Sequence, residues 1–265
     1  MRKIITLVAA LGIASAGSVQ AFAEDTLATI KSAGTIRIAI DLSVPPWSFK
    51  DDSLNPTGSE VEAAKLLAAD LGVKMEIVST NGANRIPYLM QKRADIIMSA
   101  LSITDERKKT IAFSLPYSGN TTSVFAPKAM VIQSPADLSG KRIAVTRGTT
   151  NDGDITKLAP SDAEVVRFED EATTMTAVVS NQVELVAIAQ SLVDLINKKN
   201  PGKDFEPKLE LRTATMGVGM RKDDAELKAW IDQWVKTNVD NGKLAAIYKQ
   251  FQGAELPEAV VAASK

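Results

Sequence analysis

Apolar and polar positions change period along this chain in a regular order, and that order predicts alternating strands and helices. Residues 35–41 (Thr-Ile-Arg-Ile-Ala-Ile-Asp) alternate and are rich in β-branched side chains, so they read as a first strand ending at Asp41. Residues 42–56 contain Pro45-Pro46, which cannot continue a ladder, and read as a loop. Ser59 and Glu62 have the spacing of a capping box. Val61, Ala64, Ala68 and Leu71 then form one face of a helix that Gly72 stops. A strand is predicted over 74–79, a short helix over 84–93 and a strand over 96–100. Thr104 suits a helix N-cap, with Asp105 and Glu106 at the positive end of the helix dipole and Arg107 one turn inside.

The cycle restarts after Tyr117. Apolar residues 123–126 lead to a turn over 134–140, and strands are predicted over 141–146, 163–168 and 183–189. Helices follow, one opened by 148–151, the others over 171–181 and 191–199. A strand over 216–220 precedes two helical stripes, Leu227, Trp230, Ile231 and Trp234, then Leu244, Ile247, Tyr248 and Phe251. Stripes at this spacing read as core. Residues beyond Pro257 are expected to fray. Strand–helix alternation of this kind argues for parallel sheets covered by helices, an α/β fold.

The N-terminus is a different object. Met1-Arg-Lys is a cationic start, residues 4–17 are apolar and short for a membrane span, and Ala21-Phe22-Ala23 satisfies a small-x-small cleavage rule. Residues 1–23 therefore read as a cleaved signal peptide. The remaining chain carries a net charge of about −3 and no basic stripe, which argues against nucleic acid as a partner. The 265 residues contain neither histidine nor cysteine. Ser-His-Asp triads, cysteine nucleophiles and thiolate or imidazole zinc sites are thereby excluded, and no cofactor is expected.

The candidate chemistry lies where strands end. Ala100, Ser102, Thr104 and Arg107 combine backbone groups, hydroxyls and a guanidinium that can take a carboxylate bidentately. Asp41 sits at the C-terminal end of a strand, where open α/β sheets present ligand groups. Trp47 can wall a cleft or plug a lobe. Arg85 opens a predicted helix, and Gly148-Thr149-Thr150 brings backbone N–H groups toward an anion. Gly217-x-Gly219 lacks the third glycine and following helix of a nucleotide motif.

Residues 99–107 (Ser-Ala-Leu-Ser-Ile-Thr-Asp-Glu-Arg) followed by 111–117 (Ile-Ala-Phe-Ser-Leu-Pro-Tyr) resemble the signature of periplasmic amino-acid-binding proteins of ABC importers, solute-binding protein family 3. The resemblance runs from about residue 34 to 251. It implies two doubly wound α/β lobes joined by a two-crossover hinge, the periplasmic binding protein-like II fold. Lobe 1 would be 28–118 with its return at 216–255, lobe 2 would be 119–215, and 256–265 a flexible tail. It further implies that a small carboxylated solute, a polar or acidic amino acid, is captured by lobe closure and delivered to the transmembrane subunits of an ABC permease by a periplasmic monomer.

In such proteins the arginine at Arg107 clamps the α-carboxylate and the acid at Asp41 lies on the amine side. Ser102 and the Ala100 carbonyl would bind from lobe 1, and Thr149, Thr150 and Gln190 would close from lobe 2. In relatives with acidic ligands, the arginine at Arg85 contacts the side-chain carboxylate. There is one departure. Where the family places an amine-binding Asp after Val183-Glu-Leu-Val-Ala-Ile, this chain has Ala189 and Gln190. The alternative function, resembling periplasmic cyclohexadienyl dehydratases on the same fold, needs a carboxylate near that position, and neither residue offers one.

Overall fold

The computed structural model describes residues 25–265, and the expected signal peptide at 1–23 lies outside them. Two sixteen-residue strands, β6 (Ala112–Pro127) and β10 (Phe205–Met220), form an antiparallel ladder around which the other elements are arranged. On one side lie β1 (Thr35–Ile40), β4 (Lys74–Ser79) and β5 (Ile96–Ile97). On the other lie β7 (Arg142–Thr146), β8 (Glu164–Phe168) and β9 (Leu185–Ala189). The strand order is β4-β1-β5-β10-β6-β9-β7-β8. Outer pairs are parallel, β1 with β4 and β5, β7 with β8 and β9.

β5 meets β10 only at Gly219, whereas β9 meets β6 at 122–125. The two parallel sets thus hang on opposite ends of one ladder, as two α/β lobes. The remaining pairing is a small hairpin of β2 (Phe49–Lys50) and β3 (Pro56–Thr57).

Burial follows the two-residue period on both faces of each lobe. Ile36, Ile38 and Ile40 pack into one core with helices α2 (Ser59–Leu71) and α8 (Ala225–Asp240), while Ala39 and Ile97 enter another with Leu89 of α3 (Arg85–Met90). In lobe 2, Val124, Ala126, Ile143 and Val145 join Ile155 of α5 (Thr150–Leu158). Phe125, Ala144, Val186 and Ile188 face α6 (Glu171–Val179) and α7 (Gln190–Lys199) instead. A strand buried on both faces needs apolar residues at successive positions, which is why these strands read as runs. The stripes of α8 and of α9 (Lys243–Gln252) cover the lobe 1 core, with Ile231 and Leu244 buried there.

Several expectations are corrected. Helix α1 (Thr26–Ala33) was not foreseen; Asp25 caps it by accepting from the N–H groups of Leu27 and Ala28. The Ser59–Glu62 capping box does not form. Instead the N–H groups of Ser59 and Glu60 donate to the carbonyls of Pro46 and Trp47, at 3.2 and 2.8 Å, so the loop itself caps α2. Gly58 permits this: its φ is 115°, and a Cβ there would lie 2.3 Å from the Trp47 oxygen. Strand β10 begins eleven residues before the predicted 216, at Phe205.

The tail is not a frayed end. Residues Glu258–Ala263 form α10, and Leu256 and Val260 are buried in the lobe 1 core. Val260→Asp should therefore lower the unfolding free energy by at least about 2 kcal/mol. Ala262→Asp, on the exposed side, should stay within about 0.5 kcal/mol. Denaturant titration of both variants checks this; equal effects would show that the helix does not hold its place in solution.

Candidate functional site

At the C-terminal ends of β1 and β5 the chain turns sharply in lobe 1. Asp41 is buried, its N–H donates to Ser99 Oγ at 2.9 Å, and its Oδ1 accepts from the backbone and hydroxyl of Ser43 at 2.9 and 2.7 Å. Three residues beyond the end of β5, Ala100 adopts φ 45°, a left-handed conformation that costs a residue with a Cβ about 1–3 kcal/mol. Such strain is found where backbone groups are held for a ligand. Arg85, the first residue of α3, donates through Nη1 to the carbonyl of Ser99 at 2.5 Å and to that of Ala100 at 3.5 Å.

Helix α4 (Asp105–Lys108) is capped by the Thr104 hydroxyl, which accepts from the Arg107 N–H at 3.2 Å. Arg107 then reaches back to the Ser102 carbonyl at 2.9 Å and across to the Gly148 carbonyl of lobe 2 at 3.4 Å. Opposite, Thr149 caps α5 by accepting from the Asp152 N–H at 3.2 Å and donates to the Thr146 carbonyl at 2.7 Å. The lobes meet backbone to backbone. A Cβ on Gly148 would lie 2.7 Å from Ala83 Cα, and one on Gly82 would lie 2.8 Å from the Arg147 oxygen.

Seven of the nine expected residues line one cavity of about 40 Å³ between the lobes: Asp41, Trp47, Arg85, Ala100 and Ser102 from lobe 1, Thr149 and Thr150 from lobe 2. Arg107 flanks the cavity without lining it. Gln190 is not brought there. As the first residue of α7 its amide donates to Asp194, one turn on, at 2.8 Å. Trp47 both walls the cavity and packs with the lobe 2 core.

Residues that the sequence did not single out complete the wall, among them Asn120, Thr146, Asn151 and Glu171. Three buried polar atoms at this wall find no partner in the protein: Trp47 Nε1, Arg85 Nε and Asn120 Oδ1. Buried donors and acceptors are almost always paired, so such a group marks where a ligand or water belongs. Among the described residues no cluster of three His, Cys, Asp or Glu is placed to hold a metal.

The charges are arranged in a low-dielectric setting. Burial pushes Glu171 up to about 7, against the Thr146 hydroxyl that donates to its Oε2 at 2.7 Å; the Asp41 carboxylate adds to the rise and Arg85 opposes it. Burial raises Asp41 in the same direction. Behind them Glu60 accepts from the Tyr117 hydroxyl at 2.5 Å and is also raised by burial to about 7. Burial and the guanidinium groups of Arg85 and Arg212 push Arg107 down to about 9. Arg107 makes no ion pair among the described residues.

Two α/β lobes on a shared antiparallel ladder, with strained backbone and orphaned polar groups lining the cleft between them, have the architecture of a solute-binding protein. The chain belongs to the bacterial extracellular solute-binding proteins, family 3, whose model matches residues 36–254. It is 28% identical over 259 residues to the L-cystine-binding protein TcyJ of Escherichia coli K12, covering 96% of this chain and 97% of that one. To the L-arginine-binding protein of Pseudomonas aeruginosa it is 30% identical, covering 86% and 90%. The solute receptor for L-cysteine of Neisseria gonorrhoeae has the same fold, with a TM-score of 0.80 at 29% identity over 88% of this chain and 98% of that one. These relatives are binding proteins, and the chain belongs with them rather than with enzymes.

The raised carboxyls carry a prediction for the ligand-free protein. Glu60 and Glu171 have folded pKa values of about 7 against an ordinary 4.5. Between those values the folded state holds more protons than the unfolded one, so stability falls as pH rises. The thermal midpoint should drop from pH 5 to pH 8. Glu60→Gln, which keeps an acceptor for Tyr117, should flatten part of that slope; a midpoint rising over this window would refute the assignment.

Proposed function

We propose that this chain is the extracytoplasmic receptor of an ABC importer and captures a small polar α-amino acid, or a related carboxylate, by closing its lobes. The observation that carries the reading is Arg107. It is a half-buried guanidinium at the lobe junction, bonded only to carbonyls, with burial and the charges of Arg85 and Arg212 pushing its pKa down. A ligand carboxylate there would relieve the charge and displace the long bond to Gly148. Asp41, on the cavity wall, would take the positive end of the same ligand.

Size and charge narrow the class. One water needs roughly 10–15 Å³ on the scale by which the cavity holds about 40 Å³, which favours a solute of few atoms. Arg85 is turned inward to Ser99 and faces Asp41, Glu171 and Glu60, which favours a neutral polar side chain over a second carboxylate. The contacts that lobe 2 adds to the bound ligand are what would shift the equilibrium toward the closed arrangement. The signal-like N-terminus supports export to the periplasm, where the protein would act as a monomer and hand its ligand to permease subunits. No helix among the described residues is long and apolar enough to cross a membrane.

A thermal-shift screen with amino acids, dicarboxylates, polyamines and opines identifies the ligand; a hundredfold excess over Kd adds about 2.7 kcal/mol of stability. With that ligand, Arg107→Ala should raise Kd by at least about 30-fold in calorimetry while the ligand-free midpoint stays near wild type. Unchanged affinity would remove Arg107 from the site.

A further inference from the structure

The family's lobe 2 carboxylate is missing from the end of β9, where Ala189 stands. A different carboxylate enters the same cavity. Glu171, the first residue of α6, lines the cavity together with Ala189 and Thr146, and it is 7% exposed. Its neighbours leave it half satisfied. Oε2 accepts from Thr146 Oγ1 at 2.7 Å, and Thr146 in turn shares a 2.7 Å bond with Thr174. No cation of lobe 2 pairs with it among the described residues. The charged groups that face it are Asp41, just past β1, and Arg85 of α3, both from lobe 1, and Asp170 at the cap of its own helix.

We propose that Glu171 is the lobe 2 residue that binds the ligand's ammonium group, having taken over from α6 the role that the strand end at Ala189 no longer fills. The proposal rests on the amino-acid reading above. The small side chain of Ala189 leaves its part of the wall open, and the longer glutamate arrives from the neighbouring helix. Asp41 and Glu171 then grip one cation from the two lobes, so the ammonium itself ties the lobes together. Glu171 also carries a readout of its own. With its carboxyl raised to about 7, the free site holds a proton at pH 6, and an arriving ammonium expels that proton to the buffer.

The test begins with wild-type protein and the twenty α-amino acids plus L-cystine in a thermal-shift screen. A wild type that none of them shifts would overturn the amino-acid reading, and this proposal with it. With the strongest binder from that set, calorimetry compares wild type, Glu171→Gln, and the double variant Glu171→Gln, Ala189→Asp. Glu171→Gln keeps the acceptor for Thr146, and should weaken binding ten- to hundredfold with little change in the ligand-free midpoint. Proton release, measured at pH 6 in buffers of different ionisation enthalpy, should fall by the same substitution. Ala189→Asp should restore at least part of the lost affinity by returning a carboxylate to the strand end. Affinity within threefold of wild type and unchanged proton release in Glu171→Gln would overturn the assignment to Glu171 while leaving the amino-acid reading intact.

Discussion

Everything in this protein hangs on the ladder between β6 and β10. Among the described residues both lobes complete their sheets on it, β5 at one end and β9 further along. A pair of long antiparallel strands resists stretching but twists and bends. Register shifts at Met216/Gly217 and Gly217/Gly219 interrupt the pairing where lobe 1 begins. The segments that carry Asp41, Ala100 and Thr149 converge on one cavity between the lobes. Gly82 and Gly148 let the two backbones meet there, because a Cβ at either position would clash.

Charge is the second organising constraint. A buried cleft holding Asp41, Glu171 and Arg85, with Arg107 beside it, cannot fully ionise its carboxylates and fully protonate its arginines at no cost, and the directions of their pKa shifts record the conflict. A zwitterionic ligand would resolve it, placing an anion by the guanidinium and a cation by the carboxylates. The site is thus electrostatically complementary to a molecule with two opposite charges a short distance apart. The single charge of a simple carboxylate would relieve only one half of it.

Much of the fold was legible because it depends on local periods. The alternation of β1, the runs of β7 and β9, the cap at Thr104 and the helix opened by 148–151 were readable in a few residues each, and all appear. The first half of β10 was not. Its residues 205–212 contain Pro207 and lie half-exposed, so neither period nor composition marks them; pairing with β6 makes them a strand. Glu171 was hidden for a related reason. An acid in the first turn of a helix is ordinary, and only the packing of α6 against the cleft buries it. Gln190 shows the reverse: it is adjacent in sequence to the family's acidic position, but its own helix supplies Asp194 to hold it elsewhere.

The loop that carries Trp47 links these themes. Its carbonyls cap α2, its indole fills a gap in the lobe 2 core, and its ring nitrogen ends unpartnered at the cavity. The other two tryptophans, Trp230 and Trp234, belong to α8, where Trp234 donates to Asp70. One indole of three therefore touches both the cleft and the lobe 2 core, so its fluorescence would report any change in the polarity of the cleft or in the packing between the lobes.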